Sequence, residues 1–442
     1  MSRRTAIVAV LAAALAGAGW LVWRGAATQP RPNVVMIVMD TTRADRCSFQ
    51  GYARPTTPRL EEFAKDAVVF TEAWSPAGWT GPAHASLFTG LRLEHHGFFA
   101  GNRMNLAPSP ATLAELLAAD GYATASFANN GWFDARYGLT RGFQQAETHA
   151  EGEVRPYPWA RATHAAAAAW AEARAKEGRP FFLFVNDMEP HLPYTPPDEE
   201  EARFVPQGTS PGDLAAARAF DFPTTVSYCL RREELPPGRL ELLSSLYDAE
   251  IAALDREIGV LLDRLRVAGL LDDAVVVVAG DHGEMLGEQH QTAHGFSLHR
   301  AVRHVPLLFR APDAFTGGRR EGALVRLEDV MPTVLELCGA RVPAGLDGAS
   351  LLRDLPGRVS RALQGDDDQT RRRIESLIEG ADARPLTVSM RAVFDGRWHY
   401  IDYSDKRRQL FDLSKDPAER DDLSAREPAE VARLAALLDA AR

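Results

Sequence analysis

Three near-continuous apolar runs constrain the fold more than any other feature of the chain: VVMIVM at 34–39, FFLFVN at 181–186 and AVVVVAG at 274–280. A strand with one buried face alternates apolar and polar residues. A strand that is apolar throughout is buried on both faces. Helical patterns lie between these runs: an Ala-rich stretch over 159–176, and the amphipathic LLSSLYDAEIAALDREIGVLLDRLRVAG ahead of the third run. Apolar strands alternating with helices predict an α/β chain with a largely parallel sheet. Such sheets bind ligands at the carboxyl ends of their strands. Those ends carry Asp40, Asp187 with His191 close behind, and Asp281 followed by His282.

Each of these residues has an ordinary explanation beside a chemical one. Asp40 alone would be a turn or cap residue, and His191 alone fits a satisfied loop histidine as well as a site residue. GDHGEMLGEQHQTAHG, residues 280–295, is harder to explain by packing. It gathers Asp281, His282, Glu284, Glu288, His290 and His294 behind one buried strand. Carboxylates mixed with imidazoles suit a divalent ion. In GWTGPAHASLFTGL, residues 78–91, Thr80 and Pro82 suit the first turn of a helix, so capping accounts for Thr80 by itself. His84, four residues on, shares a side of that turn or is an exposed helix-face residue. A metal that lowers the pKa of its bound water from about 15.7 to about 7 should activate a bound threonine oxygen in the same sense. A helix N-terminus favours negative charge. Together these suit transfer of an anionic phosphoryl or sulfuryl group through Thr80.

A net charge of −10 over 442 residues argues against a nucleic-acid binder. Three scattered cysteines, Cys47, Cys229 and Cys338, supply neither a CxxC zinc site nor a disulfide framework. At the N-terminus, Arg3 and Arg4 precede an uncharged run from Thr5 to Trp23 that would span roughly 28 Å as a helix. This predicts a signal anchor with the remaining chain outside the cytoplasm, in the periplasm or extracellular space; a cleaved signal peptide ending near Ala14–Ala16 is the alternative.

The stretches NVVMIVMDTTRAD, WTGPAHASLFTGLRLEHHG, ADGYATASF, EPHLPYTPP, YDAEIAALDREIGVLLDRL, AGDHGEMLGE, HVPLLF, LDGASLL and QLFDLSKDPAERDDL, in this order, resemble the sulfatase family of the alkaline phosphatase superfamily. The resemblance implies a large mixed sheet between helices with a smaller C-terminal antiparallel subdomain. It implies that Asp40, Thr80, Asp281 and His282 hold a divalent ion (zinc, manganese or calcium), with Thr80 also at the nucleophile position and His191 at the substrate or leaving group. Thr41 stands where sulfatases have a second Asp, and His282 where many have Asn or Gln. His84 replaces the Arg of their Cys/Ser-x-Pro-x-Arg motif, and Asn129 their active-site Lys. Threonine is not converted to formylglycine, so the set looks more like the Thr-nucleophile relatives: nucleotide pyrophosphatase/phosphodiesterases, phosphoethanolamine transferases and lipoteichoic acid synthases. In their two-metal members the spacing of Asp187, His191 and His294 would hold a second ion or substrate.

The resulting expectations are an anchor and linker over 1–30, a catalytic domain over 31–385 and a C-terminal subdomain over 386–442 ending in a helix from Pro428 to Ala441. The proline-rich stretch 198–239 reads as a loop-rich insertion, and 358–385 as a solvated connector. The activity expected is metal-dependent hydrolysis or transfer of phosphate or sulfate esters, small, lipid or glycan, with Thr80, His84 and His191 catalytic. A true sulfatase and a silent sulfatase-like scaffold are the alternatives.

Overall fold

The apolar runs become the middle of one sheet. The computed structural model describes residues 31–98, 104–149, 159–353, 357–365, 368–378 and 380–440. Eight strands, β1 (Val34–Met39), β2 (Val68–Trp74), β3 (Ala123–Ala128), β4 (Gln145–Thr148), β5 (Phe181–Asp187), β6 (Val275–Gly280), β7 (His304–Arg310) and β8 (Arg319–Arg326), lie in the order β8-β2-β7-β6-β1-β5-β3-β4. β1 pairs in parallel with both β5 and β6, and β7 is antiparallel to its neighbours β2 and β6. β1 is buried along its whole length because both of its faces are covered. Val35, Ile37 and Met39 join one core, with Leu246 and Ile258 of the long helix Arg239–Val267. Val34, Met36 and Val38 join the other, with Leu87 and Phe88 of α1 (Thr80–Thr89). Each such side chain contributes about 1.5–3 kcal/mol on burial.

β7 holds a proline inside the sheet. Proline cannot donate to the ladder, and it is tolerated there at a bulge. Phe70 pairs with Leu307 and Ala73 with Val305, so β2 carries one extra residue opposite Pro306.

A second, antiparallel sheet is formed by β9 (Ser360–Gln364), β10 (Met390–Phe394), β11 (Trp398–Tyr403) and β12 (Arg408–Asp412) in that order. The helix Pro428–Asp439 packs on it through Val431, Leu434 and Leu438. The mixed sheet between helices and the separate C-terminal antiparallel sheet are the fold expected from the resemblance.

Two expectations are corrected. The stretch 358–385 is not a connector, because it supplies strand β9 and the helix Asp368–Leu377. The stretch 198–239 is not loop-rich: it holds the helices Asp198–Phe204, Pro211–Arg218 and Phe222–Cys229. Two of its prolines, Pro211 and Pro223, start helices rather than break them. Pro211 follows the cap Ser210, which accepts from Asp213 N (3.0 Å), and Pro223 follows Asp221, which accepts from Thr224 N (3.0 Å).

The expected anchor lies outside the described residues. Among those that are described, no helix is long and apolar enough to cross a membrane. Asn33–Arg442 forms one compact unit.

Candidate active site

Adjacent strand ends deliver the site. β1 leads into Asp40 and β6 into Asp281 and His282, all three fully buried. The turn after β1 is strained: Thr41 has φ 51°, and it is held there by its N–H on Asp281 Oδ1 (3.2 Å) and by Tyr247 Oη donating to its carbonyl (2.6 Å). Glycines at 280 and 283 are required by close approach: a Cβ would stand 2.8 Å from Thr42 O at the first and 2.1 Å from Ala301 O at the second.

Thr80 is the first residue of α1. Trp79 occupies the N-cap position, and no side chain caps the helix. The capping explanation of Thr80 therefore falls. Its hydroxyl faces the acidic residues instead, 3.5 Å from Asp40 Oδ2 and 3.3 Å from His282 Nε2.

Asp40, Asp281 and His282 offer three ligand atoms within 4.8 Å of one another. The donor chemistry fits a cation. Asp40 Oδ1 and Asp281 Oδ2 have no hydrogen-bond partner among the described residues, a costly arrangement for buried oxygens. His282 Nδ1–H donates to Gly283 O (3.0 Å), which leaves the Nε2 lone pair facing the carboxylates, the state a metal ligand needs. Without a cation, burial raises Asp281, with the Asp40 carboxylate adding to it. Burial also raises Asp40, with His191 and His294 opposing, and lowers His282. A divalent cation would offset the penalty on both carboxylates and suits an imidazole that stays neutral.

The other expected residues divide. His294 donates from Nδ1 to Glu284 Oε1 (3.0 Å). Its ring centroid is 4.5 Å from that of His282 and 5.0 Å from that of His191. His191 Nδ1–H is held by Leu192 O (2.7 Å). Thr80, His191 and His294 line a common cavity of about 630 Å³.

Asp187 does not join the two histidines. Both its oxygens are taken by His164 Nε2 at 2.9 Å, and His164 gave no sign of this in its Ala-rich helix. His84 is not on an exposed face. It is fully buried behind Thr80, with Nδ1 on Thr80 O (3.0 Å) and 3.5 Å from Asp281 Oδ2. Burial pushes its imidazole down to about 4, so it is neutral near pH 7 and supplies no cation in place of arginine. Glu288 pairs with Arg43 (2.8 Å), and His290 stacks on Tyr228.

Asn129 accepts from Thr163 Oγ1 (2.6 Å), whereas its neighbour Asn130 lines the cavity and donates to Asp40 Oδ2 (2.6 Å). Asn130 was missed because a single Asn after a strand reads as a turn residue.

The fold and this constellation define an alkaline-phosphatase-like α/β protein with a buried Asp-Asp-His site beside a threonine. The family model described as Sulfatase matches residues 32–340, and one described as N-sulphoglucosamine sulphohydrolase, C-terminal, matches residues 294–439. The chain belongs to the sulfatase family.

Among similar proteins, an ulvan-active sulfatase of Formosa agariphila is 26% identical over 89% of this chain and 77% of its own. Arylsulfatase K of Xenopus laevis is 23% identical over 91% and 81%. Among solved structures, a phosphonate monoester hydrolase of Agrobacterium radiobacter superposes with a TM-score of 0.73 at 21% identity, covering 93% of this chain and 95% of that one. A 2-O GAG sulfatase superposes with a TM-score of 0.71 at 19% identity, covering 92% and 91%.

Proposed function

We propose that this sulfatase-family hydrolase cleaves phosphate, phosphonate or sulfate monoesters with the Thr80 hydroxyl as direct nucleophile. The observation that carries the reading is the placement of Thr80 Oγ1 between His282 Nε2 and Asp40 Oδ2, next to carboxylate oxygens that lack partners. Asp40, Asp281 and His282 would hold a divalent cation, which when bound lowers the pKa of the hydroxyl and offsets the charge of the ester. Asn130 orients Asp40, and Glu284 orients His294. His84 fixes the first turn of α1 through the Thr80 carbonyl.

Thr80 Oγ1 gives up its proton to water and bonds to phosphorus or sulfur, while the bond to the ester oxygen breaks. His294 or His191, both on the cavity wall, protonates the departing alcohol. Water then hydrolyses the Thr80 ester, which restores the hydroxyl and releases phosphate, phosphonate or sulfate.

The phosphate side of this reading rests on Thr80, because the aldehyde of sulfatases is not formed from threonine. Similarity to phosphonate and sulfate ester hydrolases supports both substrate sides.

The test pairs metal analysis with covalent trapping. Bound divalent metal should fall to background in a folded Asp281→Ala/His282→Ala double variant. Rapid acid quench with phosphorus-labelled aryl phosphate should leave label on the peptide that contains Thr80. Unchanged metal content, or label on another peptide, overturns the assignment.

A further inference from the structure

The cavity that opens on Thr80 is much larger than one phosphoryl or sulfuryl group. At about 630 Å³ it has the capacity of a drug-sized ligand. Its wall is not neutral. Arg136 and Arg373 line it, and each guanidinium is set over an aromatic ring, Arg136 over Tyr137 at 4.9 Å and Arg373 over Phe222 at 5.0 Å. Stacking on a ring restricts the guanidinium plane and leaves its N–H edge for an acceptor.

Among the described residues no carboxylate lies against either arginine closer than 3.7 Å. Arg136 has only a loose approach to the exposed Asp134, at 3.7 Å, and Arg373 has no carboxylate partner among the described residues. Asp221 also lines the cavity, but its carboxylate is engaged at the helix cap with Thr224 N (3.0 Å) and Thr224 Oγ1 (2.6 Å). In a chain of net charge −10, two arginines lining one cavity are a local reversal of sign. The same cavity is lined by an aromatic surface, with Trp132 against both Tyr137 (4.6 Å) and Trp79 (5.1 Å).

We propose that Arg136 and Arg373 form a subsite for a second anionic group, so that the preferred substrate is a ring-bearing ester carrying a carboxylate or a further phosphate or sulfate besides the group that is cleaved. The proposal rests on the ester-hydrolase reading for the position of the scissile group. Arginine forks match the planar or tetrahedral oxygens of such anions, and the aromatic wall takes the ring between the two charged ends. The group they would hold is not the one that is cleaved, so they act on binding and specificity.

The experiment uses the full-length protein with phenylphosphonate and the 2-, 3- and 4-carboxyphenylphosphonates as binding probes, and the matching aryl phosphates and sulfates for turnover. At least one carboxylated probe should bind about tenfold more tightly than phenylphosphonate. That ratio should fall towards one in the Arg136→Gln/Arg373→Gln double variant, and the single variants should lie between. In turnover the same ratio should appear mainly in KM.

Wild-type protein that prefers none of the three carboxylated isomers, or a preference that survives in the double variant, overturns the subsite. Arginine-dependent binding of a carboxylated probe without hydrolysis of any ester would keep the subsite and overturn the hydrolase reading. The two failures are thereby separable.

Discussion

Thr80 carries the chemistry proposed, and its variants separate that role from a structural one. Thr80→Ser keeps the hydroxyl and removes one methyl group, so it should retain part of the turnover. Thr80→Ala should lose nearly all of it, on the order of 10³-fold or more, while remaining folded. Because Trp79 holds the N-cap position, Thr80→Ala should cost less stability than the roughly 0.5–2 kcal/mol of a lost cap. Melting temperature and kcat on one aryl ester decide the matter. A folded Thr80→Ala protein with near wild-type kcat would sink the nucleophile.

The site was only partly visible in sequence at this scale. Asp40, Asp281 and His282 were legible because strand ends and residue type both pointed to them. His164 and Asn130 were not, since their partners Asp187 and Asp40 lie 23 and 90 residues away and no local pattern encodes such a pairing. His84 was legible as a neighbour of Thr80. Its burial among Phe88, Phe133 and Phe184 depends on the second core, which no pattern within α1 reveals.

The long helix Arg239–Val267 shows what amphipathic patterning captures and what it hides. Its apolar stripe was plain in the sequence. Its buried acids were not, since Glu250 sits on the covered side and accepts from Thr195 N (2.6 Å). Burial pushes the Glu250 carboxyl from its ordinary 4.5 up to about 8. The folded state therefore keeps this proton up to about pH 8, while the unfolded chain releases it near 4.5. The contribution of Glu250 is fully favourable below pH 4.5 and is lost as pH rises towards 8, by up to about 1.4 kcal/mol per pH unit. Glu250→Gln removes the titration. Its melting temperature relative to wild type should rise steadily between pH 5 and pH 8. A difference that stays constant over that range would show that the carboxyl titrates normally.

The prolines of 198–239 teach the same lesson in reverse. A proline marks either the end of a helix or its first turn, and only the cap before it, Ser210 or Asp221, tells which. β2 and β3 were missed as strands for a related reason. VVFTEAW and ATASFA carry polar residues within the run, and they become strands because β7, β8, β4 and β5 supply their ladders.

At the scale of the whole molecule, the C-terminal sheet is fastened to the main one by a buried arginine. Arg303 precedes β7. Its Nε donates to Ser75 O (3.1 Å), Nη1 to His399 Nε2 (3.1 Å) and Nη2 to Ser360 Oγ (2.8 Å), and the guanidinium lies over Trp74 at 5.3 Å. Ser360 is in β9 and His399 in β11, so one side chain bridges the two sheets. His399 in turn bonds Glu419, whose carboxylate also accepts from Arg300 N (2.8 Å) and whose carbonyl accepts from Gln289, in the segment that leads to His294. The C-terminal subdomain thus reaches the active-site wall through Arg303, His399 and Glu419. Burial lowers the Arg303 pKa to about 9, with Glu328 and Glu419 opposing that shift. Replacing Arg303 with methionine keeps much of the volume but removes the charge that balances those carboxylates. Ser75 O, His399 Nε2 and Ser360 Oγ would each lose this donor, at about 1–3 kcal/mol for each buried group left unsatisfied. Arg303→Met should therefore unfold at a clearly lower temperature, with limited proteolysis cutting between the two sheets, around residues 340–360, before the main sheet is attacked. Loss of turnover should accompany loosening of the Gln289 contact. A variant that melts within a degree of wild type and shows the wild-type cleavage pattern would mean that the two sheets hold together without this arginine.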